Sequence, residues 1–404
     1  MKIKSYKNQI KLLILAALFL LIFWTSICPC YVLSKEMTEE EAGQKLQESI
    51  DEQLNSMDFW ELEQLINSMD ENQKKIFGGS SFLDRIRQLL DGKYKSNNIF
   101  SAIFFLLIGD ITLFLPLLAT IIGISVLCSI LSNLQFNSSN KGVSNVIYFA
   151  CYGVVILSVS VSVFYLITLT KTAVQSMQNQ INLIFPILLG VLTAIGGTTS
   201  VAVYQPMVSV LSVVITQLMV NIILPLFIFG YVFNIIGNLS STLKLNKFSA
   251  FTSSLSKWFI GIVFTVFTAF LSIQGITASV HDGVSIRTAK FAISHYIPII
   301  GGYLSDGFNL IMAGSVLIKN AVGVAGLFLL ASTVLAPVIK IAIMMLTLKL
   351  TAAILEPLAP QGFSDFVSGA AKSISMLIAI ILSVAFMYFI MLLLVVCTGN
   401  FIWG

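Results

Sequence analysis

The fold turns on one stretch, INLIFPILLGVLTAIGGTTSVAV, residues 181–203. It is uncharged and long enough to cross roughly 30 Å of hydrocarbon as a helix. It also carries Pro186, which removes a backbone donor, and Gly196-Gly197 followed by Thr198, Thr199 and Ser200, which can turn the chain and re-satisfy freed carbonyls. Comparable uncharged runs lie at 111–131, 145–169, 207–236, 258–280, 321–339 and 374–397. A shorter apolar run, 296–318, holds Pro298, Gly301, Gly302 and Asp306. If every long run spans and residue 98 lies outside, the loop 237–257 falls on the outer side. That loop carries Lys244, Lys247 and Lys257, so the positive-inside rule objects. Reading 181–203 as a broken or re-entrant helix that returns to its own face moves the loop into the cytoplasm. Reading 296–318 in the same way keeps Lys340, Lys349 and Lys372 inside and sends the C-terminus out.

Working outward, the 404 residues are 57% apolar and only 10% charged, against about 25% charged in a soluble domain. That excludes a water-soluble globular protein. The formal charge of +4 is too small for a nucleic-acid binder. Fourteen of the 19 acids lie between Lys35 and Asn98; the other five are scattered among eleven Lys and Arg. The expectation is an all-α polytopic integral membrane protein with about six to eight transmembrane or re-entrant helices. An N-terminal signal peptide and a short extracytoplasmic helical segment precede them.

Residues 1–34 carry Lys2, Lys4, Lys7 and Lys11, an apolar run from Leu12 to Ile27, and then Val32 and Ser34 before a cleavage point. This is the layout of a secretory signal peptide, with an uncleaved signal anchor as the alternative. Either way, residues from Lys35 onward lie outside the cytoplasm. Cys128, Cys151 and Cys397 sit inside apolar runs, so the exported segment has no disulfide framework.

In the segment 35–98, Thr38-Glu39-Glu40-Glu41 reads as a capping box that starts a helix. Leu46, Ile50, Leu54 and Met57 form an apolar stripe. A second start falls at Asp58 and Glu61, Gly78-Gly79 breaks the pattern, and Phe82 to Leu90 forms a further amphipathic stretch. So short a segment has little core of its own. Glu39, Glu40, Glu41, Leu46, Ile50 and Leu54 therefore mark either a docking element or a helical cap over the bundle. The membrane domain is 99–404.

The two interrupted segments each precede a span with a deep proline, Pro225 or Pro337. Paired interrupted helices point to a transport-type site. The candidate path residues are Pro186, Gly196, Gly197, Pro298, Gly301, Gly302, Asp306 and Lys319, with Asp306 and Lys319 as a pair across a cavity. Ordinary kinked helices and a Lys319 that snorkels at a helix end are the competing readings. Only two histidines exist, His281 and His295, in no metal-ligand spacing, and there is no phosphate-binding Gly-x-x-x-x-Gly-Lys loop. No catalytic residue, metal site or cofactor is expected.

Three blocks are specific enough to carry a resemblance: Arg287 through Pro298 and Gly302 to Asp306; Phe185 through Gly196 and Ser200 to Pro206; and Glu356-Pro357-Leu358 with Phe363 to Asp365. They resemble the stage III sporulation protein AE family of endospore-forming bacteria. The resemblance implies a mother-cell membrane protein around the engulfed forespore, within a secretion-like channel complex. The implied partners are a secretion-type ATPase, ring-forming proteins, other proteins of that complex and a forespore protein across the intermembrane space, besides membrane lipid. Residues 35–98 would project into that space. A self-contained secondary transporter, with its site between the interrupted helices, is the alternative from a different class.

Overall fold

The computed structural model describes residues 40–78, 81–92, 97–134, 141–239, 245–296 and 301–398. Among the described residues all regular structure is helical. The signal peptide expected at 1–34, Glu39 and Pro298 lie outside them. Residues through Ser49 belong to one unit and Ile50 onward to another.

Among the described residues, four short helices come first: α1 (Glu40–Ser56), α2 (Trp60–Asn67), α3 (Glu71–Phe77) and α4 (Phe82–Leu90). Their ends follow local chemistry. The Asp58 carboxylate accepts the Trp60 N–H at 2.9 Å at the start of α2. Asp70 and Gln73 close a reciprocal capping box on α3, and Gly78 ends that helix at φ +117. Glu63 of α2 accepts the N–H groups of Phe82 at 2.7 Å and Leu83 at 3.3 Å, so a carboxylate sits on the positive end of α4.

Leu54, Leu62, Ile66, Phe77, Phe82 and Ile86 are buried. α3 and α4 also pack on the long helices. Ile76 packs with Leu106 and Ala336, and the buried Arg85 guanidinium lies 4.8 Å from the ring centroid of Phe328. The planar cation stacks on an aromatic face while its charge stays hydrogen-bondable.

Seven long helices follow: α5 (Asn97–Leu134), α6 (Lys141–Ala194), α7 (Thr198–Leu218), α8 (Leu224–Leu239), α9 (Asn246–Tyr296), α10 (Gly301–Leu358) and α11 (Gln361–Cys397). One π-helical turn, Met219–Ile223, joins α7 to α8 without a break, which leaves, among the described residues, six rods long and apolar enough to cross a membrane. That turn immediately precedes Pro225, which has no N–H for the turn behind it, and the wider winding accommodates the ring.

The runs 145–169 and 181–194 are not separate membrane segments, because both belong to α6. Pro186 does not interrupt it. The interruption falls at Ile195–Gly197, where Gly196 adopts φ +94. Gly197 N–H reaches the Leu192 carbonyl at 2.9 Å and Gly196 N–H the Thr193 carbonyl at 2.9 Å. This is a Schellman turn, which closes α6 and α7 into an antiparallel hairpin. The runs 296–318 and 321–339 likewise join in one helix from Gly301, and the junction at 297–300 lies outside the described residues.

α11 is the central rod, buried along most of its length from Ile374 to Val395. It runs antiparallel to α10, as the contacts of Gly323 with Val396 and Ser364 with Ala352 require. It also runs antiparallel to α7–α8. Asn234 of α8 donates to the Phe366 carbonyl at 3.3 Å, and Gly369 leaves the room that the Asn234 side chain fills.

Candidate functional site

Lys319 is the residue that hydrocarbon should least tolerate, and α10 carries it into the interior at 0% exposure. Its ammonium donates to the main-chain carbonyl of Thr398, the residue that caps α11. The last carbonyls of a helix have no internal donors and carry the negative end of its dipole, so a buried cation there satisfies both groups at once. The Thr398 hydroxyl is 3.1 Å from the Tyr204 hydroxyl of α7 and donates to the Leu394 carbonyl at 2.8 Å. One helical turn before Lys319, the Ser315 hydroxyl donates to Gln53 of α1 at 2.7 Å. The result is a polar knot that ties α10, α11 and α7 together.

A second tie lies deeper along the same helices. Tyr388 donates to the Ser212 carbonyl at 3.0 Å and meets the Thr216 hydroxyl at 2.8 Å, while Ser212 donates to Asn182 at 3.1 Å. Gln180 donates to Thr333 beside it. A third group sits between α5, α6 and α10, where Lys340 lies 3.7 Å from Asp110 and donates to the Tyr165 hydroxyl at 3.4 Å.

The sequence-derived candidates disperse over this frame. Pro186 lies on the exposed side of α6, and Gly196 and Gly197 form the hairpin turn. Gly301 and Gly302 open α10. Asp306 and Lys319 stand thirteen residues apart on that one continuous helix, about 20 Å of rise. No break separates 296–318 from 321–339 beyond Gly301, and the Asp306 side chain lies outside those described. Glu40 and Glu41 lie in the first turn of α1, Leu46 and Ile50 are half-buried, and Leu54 is buried in the chain's own core, unavailable to a partner.

Thr398, Tyr204 and Gln53 escaped the sequence reading. Tyr204 is a hydroxyl-bearing side chain inside an apolar run, which is a signal. Thr398 acts through its main-chain carbonyl, which no residue type announces. Among the described residues no three His, Cys, Asp or Glu side chains group to hold a metal ion.

The sequence profile of the family described as Stage III sporulation protein AE matches residues 80–399. This chain belongs to that family. It is also similar to the Stage III sporulation protein AE of Bacillus subtilis (strain 168), 29% identical over 310 residues, covering 77% of this chain and 78% of that protein. No solved structure matches. The family match takes in α4 through α11 and every polar tie among α6, α7, α10 and α11 described above, whereas α1 to α3 precede it.

Proposed function

We propose that the chain is a non-enzymatic membrane component of a sporulation channel complex linking mother cell and forespore, needed for forespore development and late forespore gene expression. The observation that carries this reading is a sporulation-family chain built as six long apolar rods, tied together by buried polar contacts among α6, α7, α10 and α11. In this reading it sits in the mother-cell membrane around the forespore, with α1 to α4 in the intermembrane space. It assembles there with a secretion-type ATPase, ring-forming proteins and a forespore-side protein. A self-contained transporter would need Lys319 to face a substrate path, and its ammonium is instead fully buried on a helix end.

The test is genetic. The gene is deleted in its own organism, a late forespore-specific reporter is followed after engulfment, and the chain is re-supplied from a mother-cell promoter. Failure of the reporter, rescued only by mother-cell expression, is the expected result. Normal sporulation of the deletion strain sinks the reading.

A further inference from the structure

α6 carries one outward stripe along its whole length, and its chemistry changes part-way. From Val146 the exposed large side chains are Phe149, Val154, Leu157, Val161, Phe164 and Tyr165, all apolar or aromatic. The rise from Val146 to Tyr165 is about 28 Å, close to the thickness of a bilayer's hydrocarbon. Beyond it the same helical spacing exposes Thr168, Thr172, Gln175, Asn179, Asn182 and Thr193. Between Tyr165 and Val210 of α7 no large apolar side chain is among the exposed residues described.

The hydrophobic residues of 181–195 do not contradict this. Ile181, Ile184, Phe185, Leu188, Leu192 and Ile195 are buried within the chain. What they leave outside is small or polar.

The switch coincides with an independent marker. Tyr165 at the edge of the apolar stripe meets Lys340, which lies beside Asp110. A tyrosine, a long cation and a carboxylate at one level are what an interface between lipid and water favours. On α5 the apolar stripe continues to Phe104, six residues and about 9 Å past Asp110, so the edge runs obliquely around the bundle.

A helix of 54 residues rises about 81 Å, well beyond the 40–45 Å of a whole bilayer, so part of α6 must leave it. From these observations we infer that the α6–α7 hairpin beyond Tyr165, through its turn at Gly196 to Ser209, stands clear of the hydrocarbon. Its outer face, about 38 Å long from Thr168 to Thr193, meets water on the extracytoplasmic side. The side follows from charge. The opposite end of the bundle carries Lys141 at the start of α6, then Lys247 and Lys372, which the positive-inside rule places in the cytoplasm. This inference concerns how the chain sits in its membrane and does not depend on the channel reading.

The experiment uses the full chain with its cysteines replaced by serine, expressed in bacterial spheroplasts. Single cysteines are placed at Gln175, Asn179 and Asn182 above the edge and at Leu157, Val161 and Phe164 below it. Each is exposed to a charged, membrane-impermeant maleimide, with the same protein dissolved in detergent as the control for a reactive thiol. A thiol needs its thiolate to react, so the lower set should label at least roughly tenfold more slowly than the upper set from outside. Upper positions that label only after detergent place the hairpin in lipid or seal it under protein, and overturn the inference. Upper positions that label only in inside-out vesicles overturn its side. Equal labelling of both sets from outside removes the boundary at Tyr165.

Discussion

Two runs of sequence, 145–169 and 181–203, are almost equally apolar and uncharged, yet the folded chain uses them in opposite ways. The first presents Leu157, Val161 and Phe164 outward. The second turns Ile184, Leu188 and Leu192 inward, Ile184 against Gly326 of α10, and leaves Asn182, Pro186 and Thr193 outside. Hydropathy counts residues without regard to face, whereas a membrane responds only to the face it touches. The difference explains why a count of apolar runs gave one crossing too many, and why the lysine-rich loop at 237–257 objected to it.

The sharpest way to break this comparison is to place the same charge on each half. A lysine at the centre of a lipid-facing helix costs about 3 kcal/mol of insertion free energy. Leu157→Lys should therefore strip most of the full-length chain from the carbonate-resistant membrane fraction, while Gln175→Lys should leave its yield at the wild-type level. Equal losses in the two variants would show that both halves meet the same surroundings.

Much of this was legible in advance, and what was not has identifiable causes. The start at Asp58, the stop at Gly78 and the helix from Phe82 to Leu90 follow from local capping chemistry and appear as read. The capping box at Asp70 and Gln73, equally local, was overlooked and with it α3. The polar stretch TKTAVQSMQNQIN at 170–182 looks like a loop to a hydropathy scale, but its outward residues repeat at helical spacing and it continues α6 unbroken. The partner of Lys319 could not be read at all. It is a main-chain carbonyl 79 residues later, brought near only because α10 and α11 run antiparallel.

Lys319 gives the next largest effect. Lys319→Met keeps the volume of the side chain and removes the donor to the Thr398 carbonyl. Losing a buried hydrogen bond from a charged donor costs about 2 kcal/mol. The detergent-solubilised protein should melt several degrees lower, and sporulation should fall only as far as the protein level does. A variant that is stable and abundant yet blocks sporulation would return Lys319 to a direct role in a path.

The hairpin turn comes third. Gly196 sits at φ +94, where a side chain is strained. Gly196→Ala should destabilise by about 1 kcal/mol, and Gly196→Asn by less, because asparagine visits the left-handed region more readily. The two substitutions separate backbone strain from crowding. Thermal melts in which both variants match the wild type would mean that the turn does not hold α6 against α7.

The smallest effect is expected at the edge itself. Lys340 and Asp110 are 3.7 Å apart with side chains 25% and 11% exposed, so solvent screens part of their attraction. Asp110→Asn should shift stability by less than about 1 kcal/mol, since the amide still accepts a hydrogen bond and a partly wet ammonium finds water. Its diagnostic value lies elsewhere. If Lys340 marks the lipid boundary, then in the labelling experiment Asp110→Asn should leave the Gln175 and Phe164 positions on their respective sides, because the boundary is set by the stripe of α6 and not by one ion pair. A boundary that moves toward Gln175 when this single charge is removed would mean that the pair, rather than the outward chemistry of α6, holds the chain at its depth.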